Sequence, residues 1–160
     1  ARLAVAGYAN YETSAFARAG RQCRHNLNYW HFGDYLGIGA GAHSKLTLHD
    51  RVLRQVRWKH PNAYLENVRG GSPIQETNEI AAGQLPFEFL MNALRLAAGF
   101  QPALFEARTA QPITRILPQL RAAAADGLVD IGRERIAPTP RGRRFLNVLL
   151  ERFLDAGRAG

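Results

Sequence analysis

His25-Asn26-Leu27-Asn28-Tyr29-Trp30 brings an imidazole and two aromatic rings within six residues. A neutral imidazole can ligate haem iron axially, and flanking rings can stack on or wall off a porphyrin face. Tyr29 and Trp30 lie one helical turn beyond His25 if the segment is helical. Shortly after comes the small-residue run Gly37-Ile38-Gly39-Ala40-Gly41-Ala42-His43-Ser44. Glycines without a Cβ let a ligand lie against the backbone, where N–H groups can face an anion or a ribose. The run departs from the dinucleotide fingerprint because no clear helix follows it, and a tight turn in a sheet would look the same. A lone histidine is also more often structural than a ligand, and Asn26 could simply cap the turn that follows it.

Other chemistry is poorly supported. His31, His43, His49 and His60 have no familiar metal-ligand spacing, and no carboxylate cluster accompanies them. Glu12 and Glu88 stand alone as acids, and Ser14 and Ser44 belong to no Ser-His-Asp arrangement. Cys23 is the single cysteine. It can make no internal disulfide, which points to a reducing, cytoplasmic compartment. It also cannot hold an iron–sulfur cluster, which takes several thiolates.

The elements that must position these residues fall into two halves, divided at the turn formers Gly70-Gly71-Ser72-Pro73. In the first half, residues 1–6 read as a helix tail stopped by Gly7 and Tyr8 to Ala17 as a strand. Tyr35 to Gly39 reads as a short buried strand and Arg51 to Lys59 as another. Pro61 then opens a short helix through Leu65. The second half is helical. Phe87, Leu90, Met91 and Leu94 form one apolar face of a helix that starts at Pro86 and ends at Gly99. A short helix follows over residues 103–108. Ile113, Ile116, Leu117 and Leu120 keep the period, interrupted at Pro118 by either a kink or a new start. Gly127 closes that helix, residues 128–138 read as a hairpin, and Thr139-Pro140 caps a last helix with Leu146, Leu149, Leu150, Phe153 and Leu154 buried.

The 160 residues can bury a real core, and 46% hydrophobic with 21% charged residues is ordinary for a globular chain. No apolar run approaches the roughly 20 residues that span a bilayer. The net charge of +8 comes from 19 Arg and 2 Lys scattered along the chain, which fits a solvated surface better than a nucleic-acid face. Helices, hairpin and final helix resemble a winged helix, but its recognition helix, near residues 118–126, offers only Gln119 and Arg121 as readers. The first residues contain neither an initiator Met nor an apolar signal core, so the sequence reads as cut from the interior of a longer one.

Three segments carry a family resemblance: Tyr8 to Gly20, then His25 to Trp30, then Tyr35 to Ser44. Leu85 to Leu96 and Pro138 to Asn147 extend it. Together they resemble the radical SAM haem chaperones of the HemW type, relatives of the oxygen-independent coproporphyrinogen III oxidases. The resemblance implies an α/β and mainly α fold: the last strands of a partial radical SAM (β/α) barrel over residues 1–70, then a winged-helix-like C-terminal domain over 71–160. It implies a haem contact at His25, Asn26, Tyr29 and Trp30, with His25 on the iron. It places the S-adenosylmethionine side at Ala17, Gly39, Gly41 and His43. The [4Fe–4S] cluster's ligands are expected outside these residues. The partners implied are haem and the respiratory membrane proteins that accept it, with no nucleic acid. The alternatives are oxidative decarboxylation of coproporphyrinogen III and a winged-helix nucleic-acid-binding module.

Overall fold

The structure, a computed structural model, describes residues 2–154. Their contacts divide the chain into two compact units that break after Phe32 and after Ala82. The expected division at residues 70–71 falls instead inside the second unit. Gly71 does make a turn, with φ +85°, but the chain then returns to the same sheet.

The first unit joins residues 2–32 to residues 83–154. It opens with α1 (Arg2–Val5) and the antiparallel pair β1 (Ala9–Glu12) and β2 (Ala15–Ala17). The single strand expected from Tyr8 to Ala17 is thus a hairpin. The Asn10 amide donates to the carbonyls of Glu12 and Ala15, and the Glu12 carboxylate accepts from the Ser14 N–H. Side chains thereby take over backbone bonding at the turn, a local competition that period-2 reading does not register. α2 (Arg24–Trp30) follows.

After the second unit come α4 (Leu85–Ala93), with Pro86 in its first turn, and α5 (Pro102–Thr109). α4 stops at Ala93 rather than running to Gly99, and Leu94 to Phe100 turn back toward Ile136. A 3-10 turn over Ile113–Ile116 leads into α6 (Leu117–Ala125), so Pro118 marks a new helix rather than a kink. Gly127, at φ +67°, ends it. β6 (Val129–Ile131) and β7 (Ile136–Pro138) form the expected hairpin, and Phe100 pairs with Ile136 on its other side. The Thr139 hydroxyl accepts from the Gly142 N–H, capping α7 (Pro140–Arg144) as its sequence predicts. The last helix is broken, however: Phe145 leaves helical geometry before α8 (Leu146–Glu151). Leu149 and Phe153 are buried, but Leu154 is exposed, contrary to the expected stripe.

Phe89 lies at the centre of this unit's core. Its ring meets Phe32, Phe100 and Phe105 edge-on, at centroid distances of 6.0, 5.0 and 5.3 Å. Such pairs add about 0.5–1.5 kcal/mol each beyond their burial.

The second unit holds β3 (His43–Thr47), β4 (Val52–Arg57), α3 (Pro61–Arg69) and β5 (Ile74–Ile80), with strand order β3-β4-β5, all antiparallel. The buried strand expected over Tyr35 to Gly39 is absent. Only Tyr35 bridges to Lys45, while Leu36 and Ile38 are exposed.

Lys45 is buried and donates to Asp34 at 2.9 Å and to Thr47 at 3.0 Å. Burial alone would raise the Asp34 carboxyl, but hydrogen bonds from Lys45 and Thr47 outweigh it and hold its pKa below the usual value. A carboxyl depressed on folding contributes stability above its unfolded pKa and loses it as pH falls through the folded one. Acid unfolding followed by circular dichroism should therefore show a loss beginning below about pH 4. Asp34→Asn should flatten that limb; an unchanged acid limb in the variant would contradict the assignment.

Candidate functional site

α2 positions the candidate haem contacts. Its N-cap is Cys23, which makes no side-chain cap, and Asn26 lies within the helix rather than capping it. The i, i+4 spacing puts His25 and Tyr29 on one face. Their ring centroids are 4.8 Å apart with planes at 66°. His25 is exposed, and neither of its ring nitrogens has a hydrogen-bond partner among the described residues. An accessible imidazole held only by a ring edge is free to ligate through nitrogen.

Trp30 is fixed from another direction. The Arg95 guanidinium sits 4.4 Å from its ring centroid, and Arg95 in turn lies 3.7 Å from the Glu12 carboxylate. Glu12 is only 2% exposed. Its Oε1 accepts from both the N–H and the hydroxyl of Ser14 at 3.0 Å. The chain of contacts from Ser14 through Glu12 and Arg95 to Trp30 joins β1 to the end of α2. Cation–π contacts of this kind contribute about 0.5–2 kcal/mol. The Trp30 indole N–H is buried without an acceptor. Sequence reading set Glu12 aside as an isolated acid and missed Arg95. Only the polar run Glu12-Thr13-Ser14 hinted at a structured turn.

The candidate S-adenosylmethionine residues are divided between the units. Ala17 ends β2 in the first, while Gly39, Gly41 and His43 belong to the second. There, the Gly37 N–H donates to the Ser44 hydroxyl and the Gly41 N–H to the Trp58 carbonyl. Two of the three glycine amides are therefore spent inside the fold, so the run is not an anion cradle as it stands. Gly39 has open space where a Cβ would point, at φ +103°, and His43 is exposed at the start of β3. No group of three or more His, Cys, Asp or Glu gathers among the described residues, and Cys23 is exposed and alone. These residues do not fit a [4Fe–4S] cluster, whose several thiolates they cannot supply.

Residues 81–145 match the HemN C-terminal domain. The chain is 44% identical over 153 residues to the heme chaperone HemW of Escherichia coli, covering 95% of this chain and 39% of that protein. It is 42% identical to the heme chaperone HemW of Haemophilus influenzae, covering 95% and 39%, and 35% identical to that of Mycobacterium tuberculosis, covering 96% and 37%. The structure resembles the radical SAM enzyme coproporphyrinogen III oxidase (HemN) of Escherichia coli with a TM-score of 0.65 and 19% identity, covering 95% of this chain and 38% of that one. That likeness speaks for the mixed α/β fold. The chain is similar to the HemW heme chaperones over most of its own length and spans about two fifths of theirs.

Proposed function

We propose that this chain supplies the haem-contacting part of a HemW-type haem chaperone. His25 ligates the iron of the cargo haem. Tyr29 packs on the imidazole and limits its tilt, Asn26 offers an amide on the same helix, and Trp30 walls the porphyrin. The observation that carries this reading is the arrangement on α2: an exposed imidazole with free nitrogens beside Tyr29, followed by a tryptophan clamped through Arg95 to buried Glu12.

In this reading the N-terminal residues belong to the last part of a radical SAM barrel, and the helices, hairpin and α7 of the C-terminal half follow the order of a winged helix. Ala17 of the first unit and, taken separately, Gly39, Gly41 and His43 of the second are the residues that the family resemblance assigns to S-adenosylmethionine. The [4Fe–4S] cluster, which supplies the electron for sulfonium cleavage when present, has its ligands outside these residues. The haem is passed to respiratory membrane proteins from the cytoplasm. Among the described residues no helix is long and apolar enough to cross a membrane. Identity of 44% to a heme chaperone against 19% to the oxidase favours carriage over oxidative decarboxylation. The nucleic-acid reading is not favoured.

Haem titration followed by absorbance tests the assignment. His25→Ala should lose the shifted Soret band and bind haem at least about tenfold more weakly, the equivalent of about 1.4 kcal/mol. Tyr29→Phe, which keeps the ring, should retain the band. Identical spectra and affinity for His25→Ala and the unaltered protein would defeat the proposal.

A further inference from the structure

A polar concavity that His25 does not line lies in the first unit. It has a volume of about 310 Å³, and His31, Phe100, Gln101, Leu104, Arg108 and Arg135 line it. Each lining residue has a fixed origin. His31 is the C-cap of α2, and its N–H is bonded to the Leu27 carbonyl. Gln101 stands at the N-cap position of α5 with its amide not used in capping, and Arg108 lies in the last turn of that helix. Arg135 enters from the β6–β7 turn and donates to the Ala98 carbonyl at 3.0 Å. The buried ring of Phe100 supplies an apolar floor, tied to β7 by paired hydrogen bonds with Ile136.

The charges here are unbalanced. Two guanidinium groups and an imidazole share one small hollow. Among the described residues, none of the three has a carboxylate within ion-pair distance. His31 and Arg108 are half-buried and Arg135 is exposed; elsewhere in the unit Arg95 meets Glu12, Arg152 meets Asp126 and Arg143 is bonded to Asn10. Burial, Arg108 and Arg135 together hold the His31 pKa below its ordinary value, so both arginines act on the same space as the imidazole. A cluster of fork-shaped donors with no internal counter-ion matches the geometry and charge of an oxyanion. Gln101 adds a neutral amide, and Leu104 with Phe100 leaves room for a short carbon stem.

We propose that the hollow bounded by His31, Arg108 and Arg135 is an oxyanion-binding site that takes a carboxylate or phosphate group. Arg108 and Arg135 grip the anion, and His31 donates to it once protonated. The chemistry is common to a free anion and to the carboxylate side chain of a bound porphyrin. The site itself rests on the uncompensated cations and not on the haem reading. Only its assignment to a porphyrin side chain depends on that reading.

The first test uses inorganic phosphate as probe, with the histidine ring resonances followed by nuclear magnetic resonance in a chloride buffer. Saturable binding should move the His31 resonances, and the His31 titration midpoint should rise, because a bound anion favours imidazolium. Arg108→Gln and Arg135→Gln should each weaken phosphate binding, and together by about tenfold or more. Arg121→Gln, an exposed arginine on α6, should leave it unchanged, and circular dichroism verifies that each variant is folded. His25→Ala should bind phosphate normally, which separates failure of this site from failure of the haem assignment. His31 resonances that ignore phosphate, or unaltered binding in the double variant, overturn the proposal.

The second test identifies the source by comparing haem with its dimethyl ester. If the double variant binds haem about tenfold more weakly but the ester as before, the occupant is a porphyrin carboxylate. If phosphate binding falls while haem binding holds, it is a free oxyanion.

Discussion

Phe89→Ala should cost about 3–5 kcal/mol, the range for removing a fully buried aromatic ring. Phe89 is fully buried and meets three other phenylalanines edge-on, so the cavity would open where four parts of the first unit converge. One of those parts is the end of α2. Phe32 follows its C-cap and sits at φ +54°, a left-handed conformation that bulky residues rarely adopt. Holding it there costs about 1–3 kcal/mol, and its contact with Phe89 offsets that strain. Without the Phe89 ring, α2 should loosen from its C-terminal end. Urea unfolding should show a lower midpoint at similar slope, and tryptophan fluorescence in the absence of denaturant should change as Trp30 is released. A loss under about 1 kcal/mol would mean that the phenylalanine cluster does not carry the core.

Gly99→Ala should be nearly as damaging, through the backbone. Gly99 has φ +63°, and a Cβ there would stand 1.9 Å from the Ile136 carbonyl oxygen. The left-handed conformation alone costs about 1 kcal/mol for alanine. The clash adds to it, because two bonded backbone segments must separate. The expected loss is on the order of 2–4 kcal/mol, seen as a lower unfolding midpoint. Gly127→Ala is the control. Its φ is +67°, yet nothing lies within 4 Å of its Cβ position, so it should lose only the conformational part. Equal losses in the two variants would show that close approach at Gly99 contributes nothing.

Much of the second half was readable because its signals are local. Pro86, Pro118 and the Thr139-Pro140 pair mark helix starts by removing or capping backbone donors, and Gly127 marks an end by its conformation. The His25–Tyr29 pairing was likewise contained in a four-residue spacing. β5 escaped notice because Ile74-Gln75-Glu76-Thr77-Asn78-Glu79-Ile80 has no apolar face, and its partner β4 supplies the order. The Glu12–Arg95 contact could not be read at all. Its members lie on opposite sides of the second unit in sequence, and a charge pair so separated leaves no periodic trace. The interruption at Phe145 has no evident helix breaker in the sequence.

The discontinuous make-up of the first unit bears on synthesis. Residues 33–82 form a contiguous body and can complete their fold as soon as they leave the ribosome. Residues 2–32 cannot, since Glu12 must await Arg95 and Phe32 must await Phe89. The N-terminal-first order usual for nascent chains is therefore inverted here: the inserted body matures early, and the stretch bearing the candidate ligand stays unfinished until much later codons are translated.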